Sequence, residues 1–285
     1  MLDLVDTRDP VAVEDEVCSI YAALFPDGDR EFVRRAFGWA LQCFAGRYQD
    51  YQPVDTRYHD LEHTLQGTLC LARILRGRHA TGAEPVLTKR GFELGLLAIL
   101  FHDTGYLKRR EDTMGTGAKY TPIHEGRSAI FAKEFLAPKG FPEGDLAAVQ
   151  NMISCTGVNT DLEAIAFRSE LERIVGFALG TADLLGQMAA PDYVEKLPVL
   201  FQEFAEAERS GIGKLPATFA FKSADELMRK TPAFWDKYVQ PKINGDFLRL
   251  YTFLSDPYPD GPNPYVQRIE ANIGRLRGMF ATAPA

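Results

Sequence analysis

Histidine is scarce in this chain, and four of its five copies stand next to an acidic residue. The first two are His59 and His63, which lie four residues apart within residues 58–64. Side chains with this spacing share one face of a helix, so the two imidazoles can approach one centre. The pair predicts a site for a metal ion. The alternative is two solvated histidines near the start of a helix.

A histidine and a carboxylate, His102 and Asp103, end the longest apolar run of the chain, residues 94–101. Burial of two such groups is unfavourable unless each finds a partner. The pair therefore predicts either a hydrogen-bonded couple inside the core or a cation that both residues share.

Two further candidate ligands follow later in the chain. His124 falls in the first turn of a helix that Thr121 and Pro122 are expected to begin. The positive end of the helix dipole disfavours imidazolium there, so a neutral imidazole is available to bind a metal. The same helix end also favours an anion such as phosphate. Asp183 lies at the edge of an apolar helical stripe, where a carboxylate needs a metal, a cation or a donor. The alternative for His124 is an ordinary first-turn histidine, and the alternative for Asp183 is an ion pair with Arg or Lys.

His79 stands in a polar segment and is expected to have no function.

Helices are expected to position these residues, because apolar side chains recur at spacings of three and four and strand-like alternation is absent. Loops are predicted at 78–88 and 107–120, and Gly105 is expected to end a helix. Two or more helices are expected in 223–255, with breaks at Pro232 and Pro241. The other predicted helices cover residues 11–25, 30–47, 61–76, 91–103, 124–136, 144–154, 168–189, 191–210 and 263–281. The sequence predicts an all-α fold.

Composition excludes several classes of protein. The formal net charge of −7 argues against general binding of duplex nucleic acid, which needs a basic surface. No apolar stretch is long enough to span a membrane, and the acidic start does not resemble a signal peptide, so we expect a cytoplasmic protein. The four cysteines lack metal-site spacing and are expected to be small buried side chains: Cys18, Cys43, Cys70 and Cys155.

The order His, His-Asp, His, Asp on predicted helices resembles the HD-domain superfamily of metal-dependent phosphohydrolases. Within that superfamily, Tyr58, His59, His63 and Thr64 resemble the first motif of class I cyclic-nucleotide phosphodiesterases. The resemblance spans about residues 55–190. It implies an HD-domain, phosphodiesterase-like helical bundle with additional N- and C-terminal helices. Residues 1–54 would pack on the catalytic core 55–190, and 191–285 would belong to the same compact domain, with a lid as one candidate role.

The resemblance also implies roles for individual residues. Asp103 would bridge two metals, His124 would bind the second, and His59 would protonate the leaving alkoxide. The cofactor would be one or two divalent ions of Fe, Mn, Zn, Co or Mg, and metal-activated water would attack a small phosphate ester, with nucleotides among the candidates. From its position next to His63, Glu62 is a candidate to orient His59 or a ligand, and the alternative is a solvated helix charge. The implied ligands of the first metal are His63, His102, Asp103 and Asp183.

This chain departs from the phosphodiesterases at Asp60, where they have Asn, and at Tyr106, where they have His. Residues 152–158 lack the further histidine of the di-iron HD oxygenases. Two alternatives stay open, a non-catalytic HD-type protein that binds a nucleotide or a partner, and such an oxygenase. Ser128 lies one turn beyond His124, and we assign it no role at the site. Candidates to supply positive charge for phosphate binding are Lys108, Arg109, Arg110, Lys119 and Arg127; the alternative is an ordinary solvated loop.

Overall fold

Helices make up the regular secondary structure of residues 5–281, the part of the chain that this computed structural model describes. Within that range there is no strand, and one isolated bridge joins Tyr51 to Arg109. The predicted all-α class is therefore confirmed. The α-helices are α1 (Pro10–Leu24), α2 (Glu31–Phe44), α3 (Leu61–Ala80), α4 (Lys89–Phe101), α5 (His124–Leu136), α6 (Glu143–Ser154), α7 (Glu170–Met188), α8 (Tyr193–Ser210), α9 (Ala224–Phe234), α10 (Gln240–Asn244) and α11 (Pro264–Phe280).

The centre of the molecule is a layer of three helices, α3, α4 and α7, that pack on one another. Helix α4 is buried along residues 92–101, as its uniform apolar sequence requires. Helices α3 and α7 approach closely at Gly186, where a Cβ atom would lie 2.8 Å from backbone atoms of Gln66 and Gly67. This close approach brings the first turn of α3 beside Asp183 on α7.

Side chains mark where the central helices begin. Asp60 precedes α3 and accepts a hydrogen bond from the His63 amide, and Ser169 caps α7 in the same way. The predicted starts of these helices are thus close to the observed ones. Helix α3 runs on to Ala80, so the loop predicted at 78–88 begins at residue 81, and His79 lies in the last helical turn.

Proline and glycine act differently from the prediction at two places. Pro232 lies inside α9 and does not break it, although the backbone widens into a π-helix, Trp235–Val239, just beyond. Gly105 does not end α4, which stops at Phe101, but lies in the short 3-10 helix Thr104–Tyr106. Pro241 lies in the first turn of α10, which follows the π-helix without an intervening loop.

Buried apolar residues from α1 through α11 form one continuous cluster, so the C-terminal helices share the core of the central layer. Three of the cysteines are buried as predicted, whereas Cys18 is only half-buried. Among the described residues, no helix combines the length and apolar character that crossing a membrane requires.

Candidate metal centre

Four side chains from three separate segments converge on one point. The Nε2 atom of His63 lies 3.2 Å from an Asp103 oxygen and 3.1 Å from an Asp183 oxygen. The Nε2 atom of His102 lies 3.3 Å and 3.4 Å from the same two oxygens. These are the four residues that were expected to bind the first metal, and His63, His102 and Asp103 form a compact group of potential ligands.

The converging atoms fit a metal ion. Ligand atoms held about 2.1 Å from one metal lie roughly 3.0–3.4 Å from one another in octahedral or tetrahedral arrangements. The observed separations of 3.1–3.4 Å fall in that range. Three of the buried atoms make no hydrogen bond: His102 Nε2, Asp103 Oδ2 and Asp183 Oδ1. Buried polar atoms without partners are costly, and a cation at their centre would satisfy all three.

Local helix geometry directs the imidazole of His102 toward this centre. Its Nδ1 atom lies 2.7 Å from the carbonyl oxygen of Ile99, one turn earlier. A carbonyl accepts a hydrogen bond, so Nδ1 carries the proton and the Nε2 lone pair is free for a metal. His124 is held in the same way, with Nδ1 2.7 Å from the carbonyl oxygen of Thr121.

The charges of the centre are strongly coupled. Burial lowers the pKa of His63, but Asp103 and Asp183 outweigh it and raise that pKa to about 10. Burial raises the pKa of each carboxyl, and the two imidazoles then lower the pKa of both Asp103 and Asp183 well below the ordinary value. Two ionised carboxylates therefore face one point, and protons and metal ions compete for it.

His124 lies beside the other oxygen of Asp103, with its Nε2 atom 3.7 Å from Oδ1. Asp103 thus turns its Oδ2 atom toward His63 and His102 and its Oδ1 atom toward His124. The backbone reaches this position because Gly105 packs against it: a Cβ atom there would lie 2.0 Å from the His124 carbonyl oxygen. Tyr106, the next residue, stacks on the rings of His59 and His124 at centroid distances of 4.8 and 4.6 Å.

His59 does not share a helical face with His63, as the four-residue spacing had suggested. Helix α3 begins at Leu61 after the capping Asp60, so His59 lies in the non-helical segment before it. The two rings are nevertheless 5.4 Å apart. Tertiary contacts, and not helix periodicity, bring His59 to the centre.

The partner of His59 is Glu203 on α8, a residue that the sequence analysis missed. One Glu203 oxygen lies 2.7 Å from His59 Nδ1, and the other accepts hydrogen bonds from the Arg57 and Tyr58 amides. Burial raises the pKa of Glu203, but these bonds and the adjacent imidazole lower it overall. The same signal that marked Asp183 was present, because Glu203 stands at a buried position of an amphipathic helix.

The family model described as Npun_R2479-like matches residues 39–253, about three quarters of the chain. The chain belongs to the Npun_R2479-like family. The function of this family is unknown, and the match does not link it to the HD-domain superfamily. No curated protein matches the chain in sequence.

In this member of the Npun_R2479-like family, both clustered carboxylates, all four clustered histidines and Glu203 lie inside the matched region. The clustered histidines are His59, His63, His102 and His124. The centre therefore lies within the part of the chain that the family model matches.

Each of the five cations considered for phosphate binding has a partner within the fold. Lys108 binds Asp55 and the Gly115 carbonyl, Lys119 pairs with Asp112, and Arg127 donates to two backbone carbonyls. The guanidinium of Arg109 lies over the Tyr51 ring. Arg110 faces Asp50 at the surface.

Two other residues near the centre, Glu62 and Ser128, make contacts that the sequence analysis did not identify. Glu62 orients neither His59 nor a ligand, because its carboxylate pairs with Lys196 at 2.8 Å. The Ser128 hydroxyl accepts the Gly105 amide at 2.8 Å, so it fixes the backbone beside the centre.

Proposed function

We propose that this protein is a metal-dependent hydrolase that cleaves a small phosphate ester, with a phosphodiester or nucleotide as the substrate class. The observation that carries the proposal is the convergence of two imidazoles and two carboxylates whose buried atoms lack other partners. Such a mixed nitrogen and oxygen donor set suits Zn, Mn, Fe or Co.

Two sets of residues would hold the metal ions. His63, His102, Asp103 and Asp183 would bind the first, and Asp103 with His124 would bind a second. When bound, a divalent metal lowers the pKa of a water ligand toward neutrality and polarises a phosphoryl oxygen. The remaining chemistry belongs to the side chains around it.

His59 is the residue placed to move a proton in this proposal. Its Nδ1 atom faces Glu203, which leaves Nε2 to donate a proton to the departing ester oxygen. Glu203 is a positioning residue, because it holds the imidazole through Nδ1. Because Glu203 also binds the Arg57 and Tyr58 amides, the segment that carries His59 is held along with the ring.

The first test is the metal content of the full chain purified without added metal or chelator. We expect about one to two transition-metal ions per chain, with no retained metal in Asp103→Ala and wild-type content in His79→Ala. The same three proteins are then assayed with nitrophenyl and alkyl phosphodiesters. Hydrolysis by wild type that persists in Asp103→Ala would contradict the proposal.

The same measurement separates the two alternatives. Close to two iron ions per chain, without phosphoester hydrolysis, would favour a di-iron oxygenase. Failure to bind Mn²⁺, Fe²⁺ or Zn²⁺ on reconstitution would favour a non-catalytic protein that binds a nucleotide or a partner.

A further inference from the structure

A second carboxylate of α8, Glu206, lies one turn after Glu203 and holds a different segment. Its Oε1 atom accepts a hydrogen bond from the Thr116 amide, and its Oε2 atom accepts one from the Thr116 hydroxyl at 2.8 Å. The next amide, that of Gly117, donates to Asp55 at 2.7 Å. Two carboxylates from distant parts of the chain thus bind two consecutive amides.

The buried Lys108 completes this network. Its ammonium group lies 2.8 Å from the second Asp55 oxygen and donates to the Gly115 carbonyl at 2.6 Å. The lysine side chain is 5% exposed, so the cation is compensated where solvent cannot reach it. Together, Glu206, Asp55 and Lys108 fix the backbone of residues 115–117.

Residues 115–117 lead directly to the candidate metal centre. Thr116 caps the 3-10 helix Gly117–Ile123, which ends where α5 begins at His124. The Thr121 carbonyl inside this short helix orients the His124 imidazole through Nδ1. The Ser210 hydroxyl, one turn beyond Glu206 on α8, donates to the Ala207 carbonyl and lies 3.3 Å from the Lys119 carbonyl of the same short helix. The contacts of α8 therefore extend along the short helix toward His124.

We propose that Glu206 is a positioning residue for His124 and that it sets the affinity of the centre for its second divalent cation. The inference rests on the proposed metal sites and concerns this chain's own residues. The first cation would be unaffected, because its four ligands come from α3, α7 and the end of α4, which Glu206 does not contact. Loss of Glu206 would free the Thr116 amide and let the imidazole of His124 depart from its place beside Asp103.

The test is a calorimetric titration of the metal-free full chain with Mn²⁺ alone, in wild type, Glu206→Ala, Glu206→Gln and Glu208→Ala. Glu206→Ala is expected to weaken the second binding event about tenfold and to leave the first within about twofold. Glu206→Gln retains an acceptor for the Thr116 amide and should restore most of the affinity. Glu208 is exposed on the same helix, so its loss should change neither event. Thermal unfolding of each variant shows whether it is folded.

Three results would overturn the inference: an unchanged second event in Glu206→Ala, equal weakening of both events, or a single Mn²⁺ bound by wild type. The titration contains no phosphoester, so it does not depend on hydrolysis. A wild-type chain that binds two Mn²⁺ ions with the expected Glu206 dependence, yet cleaves no phosphoester, would contradict the proposed function and leave this inference intact.

Discussion

Among single residues, His59 depends most directly on a side chain from a distant helix. Its ring lies between Glu203, which holds Nδ1, and the cluster of His63. Because Glu203 holds Nδ1, the Nε2 atom is the one left to transfer a proton. Two consequences follow at this scale, one for the reaction and one for stability.

Replacement of His59 by alanine should keep the metal but slow the cleavage of alkyl phosphodiesters by roughly 10²–10⁴-fold. A nitrophenolate leaves without protonation, so nitrophenyl esters should lose much less rate. The measurement is kcat/KM for both substrate types in wild type, His59→Ala and the control His79→Ala. Equal losses for the two substrate types would contradict the proton-donor role.

Glu203→Gln should change the pH dependence of stability. The pKa of Glu203 is lower in the folded chain than its unfolded value of about 4.3. Its charge therefore stabilises the fold fully above that value, and this contribution is lost as the pH falls through the folded pKa. We expect wild type to exceed Glu203→Gln in unfolding free energy by a constant amount near neutral pH and by less in acid.

Urea unfolding at several pH values, with Glu208→Gln as the exposed control on the same helix, measures this difference. A stability difference that grows toward acid pH would show that the charge of Glu203 is not stabilised by its partners.

At the scale of elements, the centre depends on close backbone approaches. The 3-10 helix that contains Gly105 touches the start of α5, and α3 touches α7 at Gly186. A side chain at either contact would push apart segments that contain a candidate ligand or directly follow one. Secondary structure alone does not define these distances, which come from the absence of a Cβ atom.

Gly105→Ala should destabilise the fold by about 1–3 kcal/mol, because its methyl group would overlap the His124 carbonyl and force the elements apart. Gly126 on α5 is the matched control, since a Cβ there meets no atom within 4 Å. Gly126→Ala should be neutral or stabilise by up to about 1 kcal/mol. Chemical denaturation measures both, and equal stability of the two variants would contradict the close packing.

At the scale of the whole molecule, the centre links segments from residue 59 to residue 203 that share one apolar core. A ligand that binds only the folded state stabilises it by mass action. Metal binding at the centre should therefore raise the stability of the whole chain.

Wild type should gain about 2.7 kcal/mol when free Mn²⁺ is 100-fold above its dissociation constant. Asp103→Ala should gain nothing, and His79→Ala should match wild type. Differential scanning fluorimetry over a range of Mn²⁺ concentrations measures the shift in Tm. A Tm that rises equally in Asp103→Ala would place the metal elsewhere.

Much of the fold and several parts of the centre could be predicted from local sequence. Apolar periodicity predicted the helices, and the carboxylate of Asp60 and the hydroxyl of Ser169 mark where α3 and α7 begin. His102 and Asp103 stood out because polar residues after an apolar run need partners. These signals act within one or two helical turns, where backbone geometry alone relates the residues.

Only the tertiary structure decided which groups meet. Glu203 is 144 residues from His59, and Lys108, Lys119 and Arg127 each have partners inside the fold. A charged side chain pairs with whichever of many opposite charges lies within hydrogen-bond reach, and helix packing determines that reach. Residue types and spacing could therefore nominate the metal ligands, whereas the partners that orient and neutralise the surrounding groups depend on distances that no local pattern encodes.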